Sequence, residues 1–183
     1  MNAAKTDTLL IMLMVIVILL MVTNVGLFLR MNQLQSQITQ AFQPIRQPEG
    51  LSVGTKAPHF SLTDTNSRSV SLQDFAGHRV LLMFSATTCP YCQQMYPTLK
   101  RFSENYSDIT VLMISRGSQA DNQQLVEDQG FTFPVLSWQD EVAKEYQVPG
   151  TPFFYVINSQ SIITSQGTAN SLEQLEKLAK AGG

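Results

Sequence analysis

The strongest constraint on the fold is an apolar run near the N-terminus. Residues 8–29 read TLLIMLMVIVILLMVTNVGLFL and contain no charged side chain, with Asn24 the only strongly polar one. A helix of this length rises about 1.5 Å per residue and spans the roughly 30 Å hydrocarbon core of a bilayer. We therefore predict a transmembrane anchor at residues 8–29, preceded by a short tail of residues 1–7. A cleaved signal peptide and a buried core helix are the alternatives, but the run is long for a signal core and apolar on every face.

Residues 30–50 are predicted to form a juxtamembrane helix and linker. Apolar residues recur there at alternating spacings of three and four on an otherwise Gln-rich stretch. They are Met31, Leu34, Ile38, Ala41 and Ile45. Because this stripe covers only two heptads, it predicts a weak homodimer contact through residues 31–45, and a simple stalk is the alternative. Pro44 and Pro48 end the helix ahead of Gly50.

The remaining residues, 51–183, are predicted to form one globular domain. They carry nine Lys and Arg against twelve Asp and Glu. This balance gives no support for nucleic-acid binding, which needs a basic surface. Strand and helix patterns alternate before a final hairpin and helix, which indicates an α/β fold with a mixed sheet. The predicted strands are 70–72, 80–85, 109–115, 153–157 and 161–165, and the predicted helices are 92–106, 122–129, 141–146 and 172–179.

Both cysteines of the chain lie in one motif, Cys89-Pro90-Tyr91-Cys92, between a predicted strand and a predicted helix. A C-x-x-C pair in this setting is a signature of thioredoxin-like redox sites. Cys89 is expected at the helix N-terminus, where free N–H groups and the helix dipole favour its nucleophilic thiolate form. Cys92 follows one turn later, close enough to resolve a mixed disulfide. Pro90 presets the backbone angle of the first helical turn.

Three other roles for the cysteine pair are less favoured. A closed zinc site needs about four ligands, but there is no third cysteine, and His59 and His78 both precede the motif. A structural disulfide usually closes a longer loop. Reduced packing residues would be buried, which Pro90 and Tyr91 between them disfavour. The sequence therefore predicts a redox-active pair with no metal and no cofactor.

Residues 51–179 resemble the thioredoxin-fold thiol–disulfide oxidoreductases, and among them the membrane-anchored TlpA-like and MauD-like branch. Besides the cysteine motif, the resemblance rests on VGTKAPHFSL at residues 53–62, on Pro97, and on Val148-Pro149-Gly150-Thr151-Pro152 ahead of an apolar strand. It implies a thioredoxin fold with a central mixed sheet flanked by helices. It also implies that Pro152 follows a cis peptide bond beside the cysteines and that Thr151 offers its backbone to an extended substrate.

The chain departs from that family at three positions around the cysteines. Thr88 replaces the aromatic residue that usually precedes the first cysteine, Met83 stands where thioredoxin has a buried acid, and Met95 stands where many TlpA-like reductases have a glutamate. The group that handles the Cys92 proton is therefore not identified by the resemblance. Glu104 and Asp74 are candidates by charge alone.

The resemblance implies a location and an activity. Lys5, Asp7 and Arg30 flank the anchor and nearly balance, so the positive-inside rule gives no orientation. Anchored relatives keep the N-terminus inside and the catalytic domain periplasmic or extracytoplasmic. The expected function is reduction of protein disulfides, with electrons supplied by a membrane donor of the CcdA or DsbD kind.

Other activities remain open at this stage. A dithiol oxidase or isomerase would use the same two cysteines, because direction depends on reduction potential. A peroxidase of the peroxiredoxin kind would need proline and Ser or Thr where this chain has Leu82 and Ala86. A redox-inert adaptor would need neither cysteine.

Overall fold

The computed structural model describes residues 12–30 and 50–181. They fall in two separate units, each considered by itself. The predicted tail of residues 1–7 and the proposed dimer stripe of residues 31–45 lie outside the described residues.

The first unit is a single helix, α1, from Met12 to Arg30, long and apolar enough to cross a membrane. Its side chains are exposed along the whole length. The two polar side chains near its C-terminal end bond within the helix. Thr23 Oγ1 donates to the carbonyls of Leu19 and Leu20 at 3.0 and 2.9 Å, and Asn24 Nδ2 donates to Leu20 at 2.8 Å. These bonds satisfy the donors internally, as an apolar surrounding requires.

The second unit alternates strands and helices. Its strands are β1 (Ser61–Thr63), β2 (Ser69–Ser71), β3 (Arg79–Ala86), β4 (Ile109–Arg116), β5 (Val135–Ser137), β6 (Phe153–Ile157) and β7 (Ile163–Gly167). Its helices are α2 (Pro90–Asn105), α3 (Gln119–Gln129), α4 (Asp140–Glu145) and α5 (Leu172–Ala181), with a 3₁₀ turn at Leu72–Phe75.

Five strands form a mixed sheet in the order β5-β4-β3-β6-β7. Strands β3, β4 and β5 are parallel, whereas β6 runs antiparallel to both β3 and β7. The connection from β3 to β4 contains α2, and the connection from β4 to β5 contains α3. Because such connections are right-handed and both step in the same direction along the sheet, the two helices lie on the same face. The predicted mixed sheet flanked by helices is confirmed, and β3 occupies its centre.

Apolar side chains cover both faces of the sheet. Alternate residues of β3 point into two separate cores: Leu81 and Met83 pack under α2 and α5, whereas Leu82 and Phe84 pack against α4 and the segment before β1. Burial on both faces explains why β3 and β4 are almost continuously apolar in sequence.

The sequence predicted most elements, with differences at their ends. Strands β1 and β5, of three residues each, were not predicted, because such short runs carry little periodicity. Leu72 begins the 3₁₀ turn rather than ending a strand, since Ser71 and Asp74 form a capping box there. The loop between β6 and β7 is longer than predicted, since β7 begins at Ile163 rather than at residue 161. Asn158 Oδ1 shapes this loop by accepting the N–H groups of Gln160 and Ile162.

Candidate active site

The motif Cys89-Pro90-Tyr91-Cys92 joins the carboxyl end of β3 to the first turn of α2. Cys89 is the N-cap residue of α2 and Pro90 is its first helical residue. The Cys89 N–H donates to the Ala86 carbonyl at 3.1 Å, which closes the turn after β3. The Cys92 N–H donates to Cys89 Sγ at 3.2 Å. The sulfur thus takes the place that a Ser or Asp oxygen takes in ordinary N-caps, as the predicted location at the helix N-terminus requires.

The two thiols differ in exposure and in pKa. Cys89 is partly exposed, whereas Cys92 is fully buried. Burial raises the pKa of Cys89, but hydrogen bonds from the side chain and N–H of Cys92, from the Thr151 side chain and from the Tyr91 N–H outweigh it, so the pKa lies below its usual value. Burial raises the pKa of Cys92, and its hydrogen bond to Cys89 raises it further. Cys89 therefore has both features expected of the nucleophile of such a pair, the greater exposure and the lower pKa.

Thr151 and Pro152 lie against this turn although they are far away in sequence. Phe153 pairs with Phe84 between antiparallel β6 and β3, which brings the residues before β6 next to those after β3. The Thr151-Pro152 peptide bond is cis. The Cys89 thiol donates to the Thr151 carbonyl over 3.4 Å. The structure thus brings Cys89, Cys92, Thr151 and Pro152 together.

A groove with an uncharged lining opens beside the cysteines. Tyr91, the other residue of the motif, is 70% exposed on its rim. The groove has a volume of about 340 Å³. Its lining includes Gln94 and Met95 from α2, the segment from Pro149 to Phe153, and Gln174 from α5.

No carboxylate among the described residues replaces the acids that the sequence lacks near Cys92. Asp74 caps the 3₁₀ turn by accepting the Ser71 N–H at 2.7 Å, and Glu104 is exposed on α2. Neither of them has a hydrogen bond with Cys92 in the described part of the chain.

Two hydroxyl groups that the sequence analysis did not single out lie near Cys92. Ser85 Oγ and Tyr96 OH are 3.0 Å apart in a buried hydrogen bond, and the Ser85 hydroxyl is a hydrogen-bond partner of Cys92 that lowers its pKa. A serine near the end of the otherwise apolar run at residues 80–86 is the one signal that could have identified this pair.

Comparison with known proteins identifies the family of this domain. The AhpC/TSA family model matches residues 53–168. Methylamine utilization protein MauD of Paracoccus versutus is 30% identical over 132 residues, which cover 72% of this chain and 66% of MauD. The chain thus spans just under two thirds of the length of that relative. Thiol-disulfide oxidoreductase ResA of Bacillus subtilis is 28% identical over 143 residues, covering 73% of this chain and 79% of ResA.

Solved structures agree with this fold. The thioredoxin domain of a thiol-disulfide oxidoreductase from Bacteroides vulgatus superposes with a TM-score of 0.62 at 23% identity, covering 70% of this chain and 99% of that domain. At that identity the likeness shows the fold alone. Since the family model covers more than half of the chain, the protein belongs to the AhpC/TSA family, as a thioredoxin-fold relative of MauD and ResA.

Proposed function

We propose that this protein is a membrane-anchored thiol-disulfide oxidoreductase that reduces protein disulfides through Cys89 and Cys92. The Cys89 thiolate attacks a substrate disulfide, forms a mixed disulfide with one substrate sulfur and releases the other as a thiolate. Cys92 then attacks Cys89, which releases the second substrate thiolate and leaves a Cys89–Cys92 disulfide. The observation that carries this proposal is the partly exposed Cys89 sulfur, which caps α2 and has a lowered pKa beside a buried second thiol.

The groove beside Cys89 supports an extended peptide as the substrate. Thr151 lies at its edge, next to the cysteine sulfur, and its backbone can pair with a peptide strand. The groove lining carries no Asp, Glu, Lys, Arg or His side chain, which favours uncharged side chains next to the substrate cysteine. Pro90 and Tyr91 form the exposed rim of the active-site loop.

A trapping experiment tests this mechanism. In the Cys92→Ser variant of the full-length protein, Cys89 still attacks but nothing resolves the adduct, so mixed disulfides that run high on non-reducing gels should accumulate in cells. The matched control is Cys89→Ser, which keeps Cys92 and should form none. Absence of adducts from Cys92→Ser would overturn the proposed mechanism, and so would equal trapping by both variants.

The anchor and the location of the active site form the second part of the proposal. Helix α1 is exposed and apolar along its length, and we assign the membrane anchor to residues 8–29 with the N-terminus inside and the cysteines extracytoplasmic. A membrane-impermeant maleimide should then label Cys89 in intact, reduced cells of the Cys92→Ser strain. Labelling only after permeabilisation would contradict this orientation.

The direction of electron flow decides between reductase and oxidase or isomerase. A reductase in an oxidising compartment needs a membrane electron donor, for which we propose a transporter of the CcdA or DsbD kind. The reduction potential of the Cys89–Cys92 couple is the direct measurement. A value near −270 mV, as in thioredoxin, fits a reductase, whereas a value of about −120 mV indicates an oxidase.

A further inference from the structure

The proposed mechanism requires Cys92 to ionise, and the family resemblance does not identify a group that stabilises its thiolate. Resolution of a mixed disulfide needs the Cys92 thiolate, but Cys92 is fully buried and burial raises its pKa. Met83 and Met95, where the resemblance leads one to expect acids, are both buried and apolar. The ionised sulfur must therefore be stabilised by neutral polar groups, of which the Ala86 backbone and the hydroxyls of Ser85 and Thr151 lower the pKa of Cys92.

A buried pair of hydroxyl groups stands at the required place. Ser85 is the penultimate residue of β3, and it faces α2 because it alternates with Leu81 and Met83. Tyr96 lies one helical turn after Cys92, on the same inward face of α2. Ser85 Oγ and Tyr96 OH are 3.0 Å apart, and both residues are at most 1% exposed.

The hydrogen bonds of this pair can run in either direction. In one arrangement Tyr96 donates to the Ala86 carbonyl at 3.3 Å, and Ser85 donates to Tyr96. Ser85 is then free to accept the Cys92 S–H. In the opposite arrangement Tyr96 donates to Ser85, and Ser85 donates to the sulfur. The second arrangement places two aligned donors behind a negative sulfur, and such chains of hydrogen bonds strengthen one another in a buried site.

We propose that reversal of the Ser85–Tyr96 hydrogen bond stabilises the Cys92 thiolate during resolution of the mixed disulfide. Ser85 acts on the Cys92 sulfur, whose pKa its hydroxyl lowers, and Tyr96 is a positioning residue that acts through its hydrogen bond with Ser85. Cys92 loses its proton to solvent and its sulfur attacks Cys89. The new S–S bond forms as the bond between Cys89 and the substrate breaks, and the electron pair leaves with the substrate thiolate. This inference rests on the proposed function.

Few charged groups near the Ser85–Tyr96 pair could stabilise the Cys92 thiolate in its place. From α2 the ionisable neighbours of Cys92 are Cys89 and Tyr96, and β3 and the loop before β6 contribute the hydroxyls of Ser85 and Thr151. Two carboxylates from α3, Asp121 and Asp128, lie on the rim of a surface cavity of about 510 Å³ that Tyr96 also lines.

Where the Ser85–Tyr96 pair faces β4, the neighbouring side chains are polar but neutral. Ser115 pairs with Ser85 in the parallel ladder and therefore projects to the same side of the sheet. Its buried hydroxyl and Asn122 Oδ1 have no hydrogen-bond partner among the described residues. This neutral polar lining lets the hydroxyls beside Cys92 reorient without breaking an ion pair.

Two-phase kinetics with Ellman's reagent separate this role from the attack of Cys89. When the reduced full-length protein in detergent meets the reagent, Cys89 attack releases a first thionitrobenzoate anion. Resolution by Cys92 releases a second. We expect Tyr96→Phe and Ser85→Ala to leave the first phase unchanged. They should slow the second phase at pH 7 by about three- to tenfold, the factor expected from one net hydrogen bond. The difference should shrink as the pH rises and Cys92 ionises in every variant.

The control is Tyr106→Phe, which removes a phenol hydroxyl at the other end of α2, where that residue stacks on Phe102. It should leave both phases at the wild-type rate. Equal second phases in wild type, Tyr96→Phe and Ser85→Ala would overturn the inference. A slowing that is the same at every pH would also overturn it, because it would indicate a packing defect. Absence of the first phase from the wild type would contradict the proposed function instead.

Discussion

The Cys89 sulfur and the Thr151 carbonyl oxygen lie 3.4 Å apart across 62 residues of sequence. The contact joins the turn after β3 to the turn before β6. In the proposed mechanism, a substrate that pairs with the Thr151 backbone is thereby brought next to the Cys89 sulfur. The same neighbour also adjusts the nucleophile, since the Thr151 side chain lowers the pKa of Cys89.

The lowered pKa of Cys89 predicts the pH dependence of its alkylation. The midpoint for iodoacetamide should fall below the ordinary thiol value of about 8.5, and Cys92 should react only at higher pH. The same shift stabilises the folded dithiol above the ordinary pKa, a contribution that is lost as pH falls through the folded value. Mass spectrometry of singly modified protein across pH 5–10 measures the midpoint. A Cys89 midpoint at or above that of an unfolded peptide would contradict the prediction.

Thr151→Val should raise the pKa of Cys89, because the valine keeps the branched shape but lacks the hydroxyl. We expect alkylation at pH 7 to slow by about three- to tenfold, the effect of one hydrogen bond. Thr132→Val, at an exposed threonine outside the groove, is the control and should react at the wild-type rate. An unchanged rate in Thr151→Val would show that the backbone alone sets the reactivity.

Gly50 should tolerate no side chain. Its φ is +74°, and an added Cβ would clash with both Gln166 Oε1 and Tyr155 Oη. Gly50→Ala should therefore lower the free energy of unfolding by about 2–4 kcal/mol, the sum of a left-handed backbone and an overpacked contact. Gly54→Ala is the matched control, because Gly54 has φ +88° but nothing within 4 Å. It should lose only about 1 kcal/mol. Urea melts measure both variants, and equal losses of unfolding free energy would contradict the predicted clash at Gly50.

Asp64 should contribute stability that depends on pH. Its side chain is 2% exposed and ion-paired with Arg68 at 2.8 Å, and it accepts the N–H groups of Asn66 and Arg68. Burial raises the pKa of Asp64, but these bonds outweigh it and hold the pKa below its usual value. Asp64→Asn should therefore cost about 1–3 kcal/mol at pH 7.

That cost should fade as the pH falls through the lowered folded pKa, because the wild type then loses the same charge. Glu104→Gln, at an exposed position, should change unfolding little at either pH. Urea melts at pH 7 and pH 3 measure both variants. A cost for Asp64→Asn that is equal at the two pH values would contradict the ionic origin.

Local patterns in the sequence predicted part of this site, and long-range packing decided the rest. The order of apolar strand, C-x-x-C and amphipathic helix fixes Cys89 at an N-cap, because each step involves neighbouring residues. The approach of Thr151 to Cys89 depends on the pairing of β6 with β3, which periodicity does not encode, and it was expected only from the family resemblance. The Ser85–Tyr96 pair depends on the angle at which α2 crosses β3, so no motif reports it.

The N-cap formed by Cys89 links helix stability to electron transfer. In the dithiol state the Cys89 sulfur accepts the Cys92 N–H, most strongly when it is ionised, whereas a sulfur in the disulfide is neutral and a poorer acceptor. The first turn of α2 therefore stabilises the reduced state over the oxidised one, and this preference raises the reduction potential of the couple. In the proposed reductase, the cap would thus help the pair to accept electrons from a donor, and it would restrict the substrates to disulfides with a potential that is higher still.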